Sequence, residues 1–146
     1  MFCRVRKARV VALGIALLSA TALHAQARTD LPYIKEYLSG YEFQITYREG
    51  GVQYGTSFFL DVHFCASGSY WSYNQSSKQT VLGNEQLNRW NDSGTWEVLD
   101  AQGHPVLHYT SASGARDVVP LQVQADGTVV PTSGAFMKRL GPAQCR

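Results

Sequence analysis

An acid and a histidine two residues apart are the pair in this sequence best suited to catalysis. Asp61 and His63 fall on one face of a run with strand-like alternation, where a carboxylate can orient an imidazole that acts as a general base. A small hydrolase is therefore one hypothesis. A solvated pair on the outside of a strand is commoner, and the sequence contains neither a G-x-S-x-G elbow nor an H-E-x-x-H zinc motif. We expect no catalytic residue and a protein that is not an enzyme.

The other histidines do not favour a metal site. His104 and His108 are four residues apart, so in an extended strand they share a face but lie roughly 13 Å from each other, at about 3.3 Å per residue. One ion cannot bridge that distance, and no third ligand accompanies Asp61 and His63. We expect scattered surface histidines, no metal and no cofactor.

The N-terminal segment has the order of features of an export signal. Basic residues come first, then a mainly apolar run from Val10 to Leu23, then the small-x-small sequence Ala25–Ala27. We predict that residues 1–27 are a signal peptide and that residues 28–146 form a single periplasmic or secreted domain. The apolar run is shorter than the roughly 20 residues that span a bilayer, so we expect no membrane anchor in the mature chain.

Removal of that segment changes the sign of the net charge. The sequence has 13 basic and 11 acidic residues, and residues 1–27 contain four of the basic ones and none of the acidic ones. The predicted mature chain therefore carries a formal charge of −2, which excludes a strongly basic nucleic-acid binder. We expect a monomer whose partner is a small ligand or another protein.

Two cysteines remain after the predicted signal peptide. Cys65 and Cys145 are an even pair in an exported chain, which predicts a disulfide between them. Closing a loop of this length stabilises the fold by about 4 kcal/mol in the chain-entropy treatment. The bond would tie the last residues of the chain back to the middle of the fold.

The periodicity of apolar residues changes at Gly40. From Thr29 to Gly40, Leu31, Ile34 and Leu38 recur at helical spacing and predict one short helix, either a plug at one end of a barrel or a lid over a cavity. Beyond Gly40 the period is two, as in Tyr41–Arg48, and turn sequences separate eight or nine short strands.

This pattern predicts an all-β fold, an antiparallel up-and-down β-barrel of about eight strands, in preference to a sandwich. Closure of the barrel would leave no exposed strand edge. Two stretches lack the alternation of apolar residues. We expect Asn74–Gln79 to be a polar loop and Ser76–Asn91 to be an irregular, mobile segment.

Aromatic residues are numerous for so short a chain. Alternate positions of a barrel strand point inward, so inward aromatics could line a ligand cavity or simply fill the interior. The candidate ligand-binding residues are Tyr41, Tyr47, Tyr70, Trp96 and Tyr109. Trp71 and Tyr73 fall on the face opposite Tyr70, and we expect this pair to form an exposed surface that binds a partner.

Short local sequences resemble two known families. The sequences Phe64–Tyr70, Gly94–Val98 and Gly103–Leu107 resemble the small exported lipocalin-like barrels of bacteria, with a Gly-x-Trp strand before a turn and a strand that carries Leu. This resemblance implies a barrel fold and an internal ligand. The six residues Ser111–Arg116 are similar to a loop of the periplasmic inhibitors of C-type lysozymes, which implies that Ser113 binds the catalytic cleft of a lysozyme.

These observations favour an exported, non-enzymatic binding protein that holds a small apolar ligand or a partner protein. Inhibition of a lysozyme-type hydrolase is the alternative, and the small hydrolase is the second alternative.

Overall fold

The computed structural model describes residues 30–51, 55–80 and 82–145, and the predicted signal peptide lies outside this part of the chain. The described residues form one short helix and eight strands, as the sequence predicts. Helix α1 spans residues 30–38. The strands are β1 (Tyr41–Glu49), β2 (Thr56–Phe64), β3 (Ser69–Gln79), β4 (Glu85–Ala101), β5 (His104–Ser111), β6 (Arg116–Val123), β7 (Val129–Pro131) and β8 (Phe136–Pro142).

All pairings between these strands are antiparallel, and the order around the sheet is β7-β6-β5-β4-β3-β2-β1-β8. Neighbours in sequence are therefore neighbours in space until the chain reaches β8, which crosses over to pair with β1. This crossover brings the two ends of the sheet towards each other, and the result is a nearly closed up-and-down barrel. The predicted fold class is confirmed.

The helix covers one end of the barrel. Ile34 and Leu38 are fully buried and belong to the same core cluster as Phe43, Leu121 and Val129. Tyr33 OH donates a hydrogen bond to Gly127 O (2.6 Å), in the turn between β6 and β7. The apolar stripe that the sequence shows is therefore the face with which the helix packs against the ends of the strands.

The expectation for Asn74–Gln79 and Ser76–Asn91 was wrong. The first stretch is the second half of β3, and most of the second belongs to β3 and β4, which pair continuously from Ser69↔Thr95 to Gln79↔Glu85. The inward side chains here are polar: Ser72, Asn74 and Ser76 are all buried. Because polar residues occupy both faces, the alternation of apolar and polar residues that marks a strand in the sequence is absent.

Gly94 lies where the pairing of β4 changes from β3 to β5. The strand pairs with β3 as far as Thr95 and with β5 from Gly94 onward. A Cβ atom on Gly94 would lie 1.9 Å from the carbonyl oxygen of Thr110, so only glycine permits this approach of the two backbones. Before Gly94, no described strand covers the second edge of β4, and the expectation of a barrel without exposed edges was wrong there.

The C-terminal segment folds back over the outer face of β2 and β3. The predicted disulfide between Cys65 and Cys145 is present, with Cα atoms 5.7 Å apart. Trp71 Nε1 donates to Gln144 O (2.6 Å), and Gln144 N donates to His63 Nδ1 (3.2 Å). The His63 and Trp71 rings stack with their centroids 3.9 Å apart. One covalent bond and two hydrogen bonds thus hold this segment on the barrel wall.

Replacing Gly94 with alanine is expected to destabilise the protein by roughly 2–4 kcal/mol, because β4 and β5 must separate to admit the methyl group. Gly141→Ala is the matched control, since a Cβ atom there meets nothing within 4 Å. Urea unfolding followed by tryptophan fluorescence measures both. Equal midpoints for the two variants would contradict the assigned role of Gly94.

Replacing both Cys65 and Cys145 with serine is expected to lower the free energy of unfolding by about 4 kcal/mol, since the unfolded chain loses its cross-link. Chemical denaturation of the double variant gives this value. The reduced, unaltered protein serves as the control and should unfold at the same denaturant concentration as the double variant. If reduction has no effect on the midpoint, the bond does not stabilise the fold.

Candidate functional site

A cavity of about 430 Å³ lies inside the barrel, on the side away from the helix. Its deep part is bounded by residues of the core, such as Phe64 and Leu121, and its mouth by Tyr47, Glu49 and Ser133. The strand order explains this placement. β1 begins beside the helix and ends at Glu49, so residues at the end of β1 mark the far rim of the barrel.

The wall of this cavity is mainly apolar. Apolar inward side chains of six strands (β1, β2 and β5 to β8) meet there, because the period of two directs every second residue of a strand to the interior. The apolar lining residues are Ile45, Leu60, Val62, Phe64, Leu107, Val119, Leu121, Pro131, Ala135 and Met137. Such a wall excludes water from a bound apolar group, which is the driving force for binding it.

One strand contributes polar groups to the wall. Ser72 and Asn74 of β3 line the cavity although each is only 4% exposed. In the amide orientation that satisfies its neighbours, Asn74 accepts a hydrogen bond from Trp90 Nε1 (3.0 Å) and pairs with the hydroxyl of Ser72 (3.1 Å). The cavity therefore has an apolar wall with a polar stripe along β3.

Hydrogen bonds organise the mouth around Asp92. Tyr70 OH donates to Asp92 Oδ2 (2.7 Å), Ser111 Oγ donates to Asp92 Oδ1 (2.6 Å), and the backbone N–H of Ser93 donates to Oδ1 (2.8 Å). This carboxylate links side chains of β3 and β5 to β4, just before Gly94, where the pairing between β4 and β5 begins. The network holds the Tyr70 ring against the cavity.

A second phenol–carboxylate pair lies beside the first. Tyr109 OH donates to Asp117 Oδ2 (3.0 Å), and the rings of Tyr109 and Tyr70 meet edge to face at 5.8 Å. Tyr47 stacks on Phe58 at the rim, with centroids 4.7 Å apart. Three tyrosine side chains therefore surround the mouth, two of them oriented by carboxylates.

The titration of these groups follows from the same contacts. Burial raises the pKa of Asp92, but hydrogen bonds from Ser111, Tyr70 and the Ser93 backbone outweigh it and hold the pKa below the usual 3.8. Burial and the neighbouring carboxylates raise the pKa of the Tyr70 and Tyr109 phenols. At neutral pH the mouth thus presents an ionised carboxylate and two protonated phenols.

The structure separates the five predicted ligand-binding aromatics. Tyr47, Tyr70 and Tyr109 line the cavity. Trp96 does not line it; this side chain is buried in the core, and its Nε1 donates to Cys65 O (3.0 Å). Tyr41 lies at the end of α1, where its ring covers the guanidinium of Arg139 at 4.0 Å. The interior is therefore neither empty nor filled: it is packed next to the helix and hollow beyond.

The three predicted partner-binding residues also occupy different environments. Trp71 is half-buried between His63 and the C-terminal segment, whereas Tyr73 is 43% exposed. Ser113 lies in the exposed turn between β5 and β6, where its hydroxyl is 3.0 Å from that of Ser111. All three border a wide groove of about 1140 Å³ that runs between β3–β4 and this turn.

The candidate catalytic pair has a different setting from the one expected. His63 is buried rather than at the surface, because Trp71 and the C-terminal segment cover it, and its Nδ1 accepts a hydrogen bond from Gln144 N.

The other two histidines of the described chain lie apart from it: His104 is exposed, and His108 Nδ1 is 3.1 Å from Glu97 Oε1. Within residues 30–51, 55–80 and 82–145, no three potential ligands lie together as a metal would require. No helix in this part of the chain is long and apolar enough to cross a membrane.

Comparison with protein-family models, with curated proteins and with solved structures finds no match to this chain. The resemblances to lipocalin-like barrels and to lysozyme inhibitors thus stay predictions. What the coordinates define is a class by shape: a β-barrel with a helix across one end and a cavity towards the other.

The sequence did not indicate the two carboxylates of the mouth. Asp92 directly follows the stretch without apolar alternation, and Asp117 follows a turn in which an acid is ordinary. Their roles depend on which residues the strand register brings opposite them, Ser72 for Asp92 and Tyr109 for Asp117. A hydrogen-bonding partner 22 residues away in sequence leaves no local signal.

Replacing Asp92 with asparagine is expected to lower stability by about 1 kcal/mol at pH 7, since hydrogen bonds to a partly exposed charge become neutral ones. The lowered pKa of Asp92 means that its contribution is present above pH 3.8 and is lost as the pH falls through the folded value. Thermal unfolding of both proteins from pH 7 to pH 2 tests this. A stability difference that does not shrink on acidification would contradict it.

Proposed function

We propose that this chain is a non-enzymatic binding protein that holds a small, mainly apolar ligand in the barrel cavity. The observation that carries the proposal is the apolar-lined cavity of about 430 Å³, open towards the end that the helix does not cover. Ligand sites are typically concave, mainly apolar and about 300–1,000 Å³ in volume. The cavity is at the smaller end of that range, which suits a compact ligand.

The mouth specifies the polar end of such a ligand. The charged residues of the lining are Arg48, Glu49, Asp92 and Asp117, a formal sum of −2. Two of the carboxylates accept hydrogen bonds from tyrosine hydroxyls whose rings face the cavity. A ligand with an apolar body and a hydrogen-bond donor or an ammonium group at one end would be complementary to both parts of the site.

An anionic ligand suits this mouth poorly. Burial is the main cause of the raised pKa of Tyr47, and the negative charges of Glu49 and Asp117 raise it further. A negative group of a ligand placed beside this phenol would meet the same repulsion. Fatty-acid-like ligands are therefore expected to bind more weakly than neutral or cationic molecules of the same length. This expectation concerns the head group and leaves the apolar wall to supply most of the affinity.

Val119 and Val118 provide a matched test of the cavity. Val119 points inward and lines the cavity, whereas Val118 points outward and is 49% exposed. The neutral fluorescent probe N-phenylnaphthylamine should bind the unaltered protein, and Val119→Phe should weaken binding by about tenfold or more because the ring occupies the site. Val118→Phe, one residue away, should bind the probe as the unaltered protein does.

Fluorescence titration gives both affinities, and thermal unfolding shows whether each variant is folded. Ala135→Phe, at the mouth, is a second blocking variant in case the core does not accept Val119→Phe. Displacement of the probe by octylamine, octanol and octanoate then compares head groups on one apolar body. Absence of probe binding to the unaltered protein, or equal binding by Val119→Phe and Val118→Phe, would refute the proposal.

A further inference from the structure

The first half of β4 has an edge that no described strand covers. Along Glu85–Ser93 this strand pairs with β3, and its pairing with β5 starts only at Gly94. The turn between β5 and β6 reaches the edge at one point, where Ala112 N donates to Ser93 O (2.7 Å). Residues 82–91 are exposed throughout. An edge of this length attracts another strand, because its N–H and C=O groups are already aligned for pairing.

We propose that this edge pairs with the same edge of a second copy of the chain. The pair would be antiparallel and two-fold symmetric, with Leu87 at its centre. In this register Glu85 of one copy lies opposite Arg89 of the other, and the symmetry repeats the ion pair on the other side of Leu87. The strand is therefore complementary to itself in charge.

The three side chains share one face of the sheet. Glu85, Leu87 and Arg89 alternate along β4 and lie opposite Gln79, Ser77 and Gln75 of β3. This is the outer face, because the inward residues of β3 are Ser72, Asn74 and Ser76. Leu87 is 48% exposed and would be covered by Leu87 of the second copy.

Neighbouring registers lose this complementarity. A two-fold centre on Asn88 places Glu85 opposite Asn91 and Leu87 opposite Arg89, whereas a centre on Gln86 places Glu85 opposite Leu87. Neither forms an ion pair between Glu85 and Arg89. A centre between two residues would oppose side chains from different faces, because the side-chain period of a strand is two. The charge pattern therefore selects the centre at Leu87.

Each of the two charged side chains also has a hydrogen-bond partner on β3 within one copy. Ser77 donates a hydrogen bond to Glu85, and Arg89 Nε donates to Gln75 Oε1 (3.3 Å), so both side chains are held over the outer face. Arg89 keeps its terminal guanidinium N–H groups for the opposite carboxylate. A single strand pair buries little surface, so the dimer should be weak and reversible. The proposal departs from the monomer expected from the sequence.

Sedimentation equilibrium of the full chain over a wide concentration range tests the proposal. The unaltered protein should form a reversible dimer. Glu85→Arg and Arg89→Glu should each raise the dissociation constant by about tenfold or more, because like charges then face each other twice. The double variant, in which the two charges are exchanged, should restore the constant to within about threefold of the unaltered value.

Glu36→Arg is the matched control, since it makes the same charge change at an exposed position on α1 and should leave the dimer unchanged. Leu87→Arg should dissociate the dimer without relying on the ion pairs. A chain that is monomeric at every concentration overturns the proposal and leaves the edge to a strand of another protein. Dimerisation that neither single charge reversal weakens overturns it as well.

Discussion

The close approach of the Gly94 backbone to the carbonyl of Thr110 determines the shape of this barrel. Because a side chain cannot be accommodated there, β4 can turn from β3 towards β5 within one strand and does not need a loop. The turn makes the two sides of the barrel unequal. β1 to β4 continue to the far rim, whereas β5 stops at Ser111 and β7 has only three residues. The cavity, the mouth network and the open edge all follow from that inequality.

Much of the fold could be predicted from the sequence because apolar spacing determines which face of an element is buried. The helical stripe of Ile34 and Leu38 and the strand-like alternation of Phe43 and Ile45 correspond to the observed core and its margin. The disulfide was also predictable, since the chain that remains after the predicted signal peptide has two cysteines and therefore one possible pairing. In each case the information is local or depends on residue type alone.

The site was less predictable because it depends on register. Tyr70 and Trp96 are both aromatic, inward and part of the core cluster, yet only Tyr70 also lines the cavity. The difference arises from the strand register, which places Tyr70 opposite Phe64 and Gly94 and places Trp96 opposite Tyr109, and no local pattern contains this information. The same holds for β3, where a buried polar face of serines and an asparagine resembles a loop in sequence while the ladder with β4 holds it as a strand.

The unequal wall also bears on how quickly the interior can exchange its contents. One end of the cavity is closed by the packed core and the helix. On the side formed by the shorter strands β5 to β7, a ligand could leave the open end without the separation of a strand pair. Departure would then be limited by the loss of apolar contacts and the return of water, rather than by a local unfolding event. Under the proposed binding function, such a site favours rapid exchange of the ligand with the surroundings over its long-term retention.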